Sequence, residues 1–147
     1  MSRVISADGT QIAYLRNGSG PAVILISGGL DDGSAHVSLA TQLGERFTVY
    51  NYAKRGTGHS ADTLPYAMER EIEDLEALIA EAGGSACVYG LSGGGALALE
   101  AAAAGAAIDK LAVYEVPTTP PTELRIASGH TSSPWSRCSP KAGAQTR

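Results

Sequence analysis

The chain has 147 residues, of which 44% are apolar and 18% are charged, a balance typical of one soluble globular domain. The formal net charge of −4 argues against a nucleic-acid partner, because binding a phosphate backbone needs clustered basic residues. No apolar run approaches the roughly 20 residues that span a bilayer, so we expect no membrane partner.

The two cysteines, Cys87 and Cys138, are too few and too scattered for a disulfide framework or a metal-ligand pair. The first eight residues lack the long apolar stretch of a signal peptide. These observations favour a cytoplasmic location and leave the oligomeric state open.

Two short strands, at 3–6 and 11–15, are predicted to pair through a hairpin turn at Asp8-Gly9. Four further strands follow at 22–26, 47–52, 86–89 and 110–115. Helices are predicted between them, from a cap at Asp32 or Ser34 to Arg46, around 72–82, and at 93–104.

In the first of these helices, Val37, Ala40 and Leu43 should face the sheet, and His36 is expected at the surface. Strands that alternate with helices predict crossover connections and a mostly parallel sheet with helices on both faces. Ligands bind beyond the carboxyl ends of the strands in such sheets.

Composition changes sharply near Pro117. Residues 1–116 carry a net charge of −7 and residues 117–147 a net charge of +3. Five of the seven prolines fall in the second segment, where no helical or alternating apolar pattern is present. The sequence therefore predicts a folded body at 1–116 and a disordered or aberrant tail at 117–147.

The segment Gly90-Leu91-Ser92-Gly93-Gly94 joins a predicted strand to a predicted helix. Gly-x-Ser-x-Gly in that context is typical of a nucleophile elbow, in which a tight turn exposes the serine and its neighbours must be small. The alternatives are a glycine-rich turn without chemistry and a phosphate-cradling loop. No Gly-Lys-Ser/Thr or dinucleotide fingerprint is present, so no cofactor and no metal are expected.

On these residues the chain resembles the N-terminal portion of the α/β-hydrolase family, from about Val4 to Pro117. The resemblance implies an α/β fold with a mostly parallel sheet of about six strands, a truncated form that lacks the family's last two strands. It also implies that Ser92 is the nucleophile of an esterase-like hydrolase whose partner is a small-molecule substrate.

The segment Ser27-Gly28-Gly29-Leu30 looks like the family's His-Gly-x loop, with Ser27 in place of the histidine. The resemblance implies that the backbone N–H groups of Gly29 and Gly93 form an oxyanion hole. The alternative is a flexible strand-to-helix turn.

The segment from Lys54 to Ser60 is similar to the family's Asp-x-Arg-Gly-x-Gly-x-Ser stretch, with Ala53 in place of the aspartate. The resemblance implies a structural role for Arg55 and Ser60, which brace the floor of the site. His59 occupies a variable position and is expected to be a solvated loop residue.

The family's histidine and acid have no recognisable counterparts in this sequence. His130 is the candidate base and Glu115 the candidate acid, although Glu115 also fits a strand-end residue that shapes the pocket. A serine without an adjacent base is a weak nucleophile. The alternatives are therefore a non-catalytic remnant or small-molecule-binding module from a truncated or frame-shifted gene, and acyl transfer on the same elbow.

Overall fold

The computed structural model describes residues 1–117 of the chain, and within them six strands form one sheet. The strands are β1 (Ser2–Ile5), β2 (Gln11–Asn17), β3 (Ala22–Ile26), β4 (Thr48–Tyr52), β5 (Ala86–Leu91) and β6 (Ile108–Tyr114). Their order across the sheet is β1-β2-β4-β3-β5-β6. The hairpin strands β1 and β2 are antiparallel, and β3 to β6 are parallel to one another. The predicted α/β class and the mostly parallel, six-stranded sheet are confirmed.

In the described part of the chain, three α-helices cover the two faces of this sheet: α1 (Val37–Leu43), α2 (Met68–Glu81) and α3 (Gly93–Ala104). Successive residues of β3 point to opposite faces, as the strand period requires. Ile24 and Ile26 belong to the apolar cluster that includes α2 and α3, whereas Val23 and Leu25 belong to the cluster that includes α1. None of the helices in residues 1–117 is long and apolar enough to cross a membrane.

The start of the first helix differs from the prediction. A 3-10 turn at Ser34–His36 precedes α1, and its three residues per turn shift the phase of the side chains that follow. Val37 is consequently 54% exposed, and His36 is only 3% exposed. The predictions that Val37 faces the sheet and that His36 lies at the surface were both wrong.

The predicted cap of this helix was also wrong. Gly33, in the left-handed conformation, precedes the 3-10 turn, and neither Asp32 nor Ser34 serves as the capping residue. The Asp31 carboxylate accepts hydrogen bonds from the backbone N–H groups of Gly33 at 2.8 Å and Ala35 at 3.3 Å, and the Asp32 carboxylate accepts one from the N–H of Ser34 at 3.1 Å.

The parallel strands bring three loops and the residue after β6 to one edge of the sheet. These segments are Gly28–Leu30 after β3, residues 53–60 after β4, Ser92 after β5 and Glu115 after β6. Because the carboxyl ends of parallel strands meet at this edge, segments far apart in the chain become neighbours. From residue 118 onward, the predicted tail lies outside the described residues.

Candidate active site

Ser92 lies in the tight turn between β5 and α3, with φ 51° and ψ −119°. Its backbone N–H donates to the carbonyl of Tyr114 at 2.8 Å, and its own carbonyl accepts from the N–H groups of Gly95 and Ala96. The positive φ is rare for a residue with a side chain and typically costs about 1–3 kcal/mol. The surrounding backbone holds Ser92 in this conformation, so the turn has the strained geometry that the sequence predicts for an elbow.

Two glycines leave no room for side chains beside Ser92. A Cβ added to Gly90 would lie 2.6 Å from the carbonyl oxygen of Gly94, and a Cβ added to Gly94 would lie 2.6 Å from the carbonyl oxygen of Ser27. Both contacts are with backbone atoms, which cannot rotate away. The requirement for small residues at these two positions is therefore steric.

We expect Ser92→Gly to be more stable than Ser92→Ala by about 1 kcal/mol, because glycine adopts positive φ without strain and this gain exceeds its entropic cost in the unfolded chain. The free energy of unfolding, measured by urea titration of both variants, tests this expectation. Equal stabilities would mean that the turn is not strained at Ser92.

The loop after β3 packs directly against Ser92. A Cβ added to Gly28 would lie 3.0 Å from the Ser92 Cβ and 3.6 Å from its Oγ, and a Cβ added to Gly93 would lie 3.7 Å from the backbone nitrogen of Gly29. Gly29 has φ 48°, and the N–H of Asp31 donates to the carbonyl of Gly28 at 3.1 Å. The structure thus brings the predicted oxyanion loop and the predicted nucleophile together. Their catalytic roles remain predictions.

Lys54 contacts this loop on its solvent-facing side, and the sequence did not predict this contact. Its ammonium group donates a hydrogen bond to the carbonyl of Gly29. Lys54 occupies a variable position in the motif that carries Arg55, so no signal in the sequence connected it with Gly29, which lies 25 residues earlier.

Of the predicted acid and base, the structure describes only the acid, Glu115. Glu115 is exposed, has φ 50°, and directly follows Tyr114, whose carbonyl accepts the Ser92 N–H. His130 lies outside the described residues. Within residues 1–117, His36 contacts Ser27 rather than Ser92, and His59 is exposed, as expected.

A family model described as the alpha/beta hydrolase family matches residues 23–144. The chain belongs to this family. The match continues past Pro117, where we expected the resemblance to stop, so that expectation was wrong.

Among solved structures, the chain is similar to an alpha/beta hydrolase from Sphaerobacter thermophilus, with 52% identity and a TM-score of 0.78 over 79% of this chain and 45% of that one. It is also similar to a thermophilic esterase from Thermogutta terrifontis, with 26% identity and a TM-score of 0.69 over 76% of this chain and 44% of that one.

A curated relative, "Probable oxidoreductase EphD" of Mycobacterium tuberculosis, is 36% identical over 87 residues, which are 55% of this chain and 15% of the relative. The chain therefore spans less than half the length of each of these three proteins.

The part of the site that resembles the family's Asp-x-Arg-Gly-x-Gly-x-Ser stretch is braced by a buried ion network. The Arg55 guanidinium donates to the Asp74 carboxylate at 2.7 and 2.8 Å, to Asp8 at 2.9 Å and to the carbonyl of Arg70 at 3.0 Å. The hydrogen bonds with Asp74, and the single one with Asp8, raise the pKa of Arg55, although its burial lowers it. Ser60 adds a second brace, accepting from the N–H of Ala13 and donating to the carbonyl of Ala53. These contacts agree with the structural role predicted for Arg55 and Ser60.

Because of this ion network, the free energy of unfolding depends on pH in the acidic range. The hydrogen bond from Arg55, together with those from Thr10, holds the pKa of Asp8 well below its ordinary value of 3.8. Below about pH 4 the unfolded chain takes up a proton at Asp8 that the folded chain does not, so this contribution to stability is present above that pH and is lost as the pH falls. We expect Asp8→Asn to reduce the fall in unfolding free energy between about pH 4 and pH 2. Urea titrations over this range test the expectation, and an identical slope in both proteins would contradict it.

Proposed function

We propose that the protein is a serine-nucleophile hydrolase of small esters or related acyl substrates. The observation that carries the proposal is the strained Ser92 turn packed against Gly28, with the backbone nitrogens of Gly29 and Gly93 beside it. Two backbone N–H donors beside a half-buried hydroxyl match what attack on an acyl carbon requires.

In the proposed reaction the Ser92 Oγ attacks the acyl carbon and its proton passes to a base. The carbonyl oxygen becomes an oxyanion, which accepts hydrogen bonds from the N–H groups of Gly29 and Gly93. Collapse of this intermediate expels the alcohol, which takes up the proton, and leaves an acyl group on Ser92. Water then attacks the acyl group, releases the acid and restores the hydroxyl. The N-terminus of α3 adds partial positive charge where the oxyanion forms.

We propose His130 as the base and Glu115 as the acid that orients it. Glu115 supports this assignment because it lies at the carboxyl edge, one residue after the strand partner of Leu91. We expect His130→Ala to slow phosphonylation of Ser92 at least about a hundredfold, because a positioned base typically contributes that much. His59→Ala is the matched control and should react like the wild type. Equal rates in all three proteins would remove His130 from the mechanism.

A fluorophosphonate probe, which reacts with activated serines, tests the proposed function. After incubation with the full chain, intact-mass measurement should find one adduct, and peptide mapping should assign it to Ser92. Circular dichroism on the same sample establishes that the protein is folded.

A non-catalytic binding module is the second candidate. It is favoured by the fact that His36, the buried histidine of residues 1–117, contacts Ser27 rather than Ser92. A folded sample that acquires no adduct would contradict the hydrolase proposal and favour this candidate.

A further inference from the structure

The loop after β3, residues 28–30, is poorly held by packing at its tip. A Cβ added to Gly29 would meet nothing within 4 Å, and Leu30 is 91% exposed. Gly29 has φ 48°, and because glycine populates negative φ as readily, sterics do not confine its backbone to this conformation. The conformation of the loop tip therefore depends on hydrogen bonds.

Two hydrogen bonds reach this loop, and each fixes a different peptide group. The N–H of Asp31 donates to the carbonyl of Gly28 at 3.1 Å. In a trans peptide the C=O and N–H groups point in opposite directions, so this bond sets the direction of the Gly29 N–H. The Lys54 ammonium donates to the carbonyl of Gly29 and so fixes the next peptide group. Within residues 1–117, no other side chain hydrogen-bonds to residues 28–30.

Lys54 is itself held at its backbone. Its carbonyl accepts from the N–H of Thr57 at 3.0 Å and from the Thr57 hydroxyl at 2.8 Å, which closes a turn. The next residue, Arg55, is anchored by its buried hydrogen bonds with Asp74 at 2.7 and 2.8 Å. Lys54 therefore reaches Gly29 from a segment whose position is set by the buried ion network.

We propose that Lys54 is a positioning residue, which holds the loop after β3 so that the Gly29 N–H stays aimed at the oxyanion. The inference rests on the proposed function, since Gly29 has its role only there. Gly29 joins the two fixed peptide groups, so releasing its carbonyl lets both of them rotate. A Cβ added to Gly93 would lie 3.7 Å from the Gly29 nitrogen, so the two proposed donors are close neighbours. An oxyanion donor is effective when its N–H is already aimed at the developing charge.

The chemistry of lysine suits this contact. Its hydrogen bond to the carbonyl is charge-assisted, and such bonds are roughly twice as strong as neutral ones. This strength offsets the entropy that is lost when the long side chain is ordered. The Arg55 side chain, which is 1% exposed, binds Asp74 and Asp8, whereas Lys54 is half-buried. The two adjacent basic residues therefore have separate partners: Arg55 binds carboxylates within the fold, and Lys54 binds the loop after β3.

A carbonyl chemical shift tests the hydrogen bond without any substrate. The chain has two Gly–Leu peptide bonds, Gly29–Leu30 and Gly90–Leu91, so carbonyl carbon-13 glycine combined with nitrogen-15 leucine gives one signal from each. Accepting a hydrogen bond moves a carbonyl carbon to higher frequency. In the full chain, Lys54→Met removes the donor and should move the Gly29 signal to lower frequency, while the Gly90 signal from β5 stays in place. Lys110→Met, at an exposed position of β6, is the matched control and should leave the Gly29 signal unchanged. An unchanged Gly29 signal in Lys54→Met would overturn the proposal.

The kinetics of fluorophosphonate labelling test the positioning. We expect Lys54→Met to lower the limiting rate constant about tenfold, the scale of one hydrogen bond to a charged group. The probe concentration at half the limiting rate should stay close to the wild-type value, because Lys54 does not touch the probe. Lys54→Arg should restore most of the rate, since a guanidinium is also a charged donor of similar reach. Equal slowing in Lys54→Met and Lys54→Arg, with unchanged near-UV circular dichroism, would overturn the proposal.

The two measurements separate failure of this inference from failure of the proposed function. If the wild type acquires no adduct while the Gly29 signal moves in Lys54→Met, the proposed function fails and Lys54 still positions the loop. If Ser92 is labelled at the same rate in the wild type and in Lys54→Met, the proposed function stands and the positioning role is overturned. A slower rate in Lys54→Met together with a moved Gly29 signal and recovery in Lys54→Arg is the result that we expect.

Discussion

Ser92→Ala is expected to abolish fluorophosphonate labelling and to lower hydrolysis of a small ester by about a thousandfold or more, the scale seen when a nucleophile is removed from such a site. The reason is that no other group takes the place of Oγ at the turn between β5 and α3. A Cβ added to Gly28 would lie 3.6 Å from this oxygen, so a substrate carbonyl held there would also lie beside the loop after β3.

The same substitution should leave the fold intact. Alanine keeps the backbone of Ser92 unchanged and removes one half-buried hydroxyl, so we expect the free energy of unfolding to change by no more than about 0.5 kcal/mol. Ser38→Ala, at an exposed position of α1, is the matched control and should label like the wild type. Adduct formation that persists in Ser92→Ala would assign the reactive group to another residue.

Arg55→Ala is expected to lower the free energy of unfolding by about 3–5 kcal/mol, because it leaves the Asp74 carboxylate buried without its partner. The side chains of Arg55 and Asp74 are each 1% exposed, so water cannot replace the lost hydrogen bonds. The substitution also removes the hydrogen bond to Asp8, which is one of the links between the hairpin turn and the loop after β4.

Arg70→Ala is the control for a surface charge. Its ion pair with Glu73, three residues along α2, has an arginine side chain that is 38% exposed. Such pairs contribute about 0–1 kcal/mol. Urea titration of both variants followed by circular dichroism gives the comparison. Equal decreases in the free energy of unfolding in Arg55→Ala and Arg70→Ala would show that the buried network does not stabilise the fold.

The double variant Arg55→Ala/Asp74→Ala sharpens the test. Removing both charges eliminates the unpaired buried carboxylate. The decrease in unfolding free energy of the double variant should therefore be smaller than the sum of the decreases in the two single variants. An additive result would mean that the two side chains act independently.

Much of the frame around the site follows from local sequence. The continuous apolar run at Ala22–Ile26 and the alanine-rich segment at Gly93–Ala104 became β3 and α3 with the predicted bounds. The glycines around Ser92 marked the elbow because a strand-to-helix turn of this sharpness excludes side chains beside it. Each of these signals lies within one short segment of consecutive residues. The spacing of residue types in that segment is enough to predict a strand, a helix or a tight turn.

Hydrogen-bond partners that are distant in the chain have no comparable signal in the local sequence. Arg55 hydrogen-bonds to Asp8, which is 47 positions away in the chain, and to Asp74, which is 19 positions away. Lys54 hydrogen-bonds to Gly29, which is 25 positions away. His36 was misassigned because three residues of 3-10 turn rotated it inward, a change that local periodicity does not express. The sequence by itself determined the order of the elements, the mostly parallel sheet and the elbow, because these depend on hydrophobic period and turn chemistry. Only the tertiary structure decided which side chains hold the loop after β3 and which charges are buried, because both depend on segments distant in the chain meeting at one edge of the sheet.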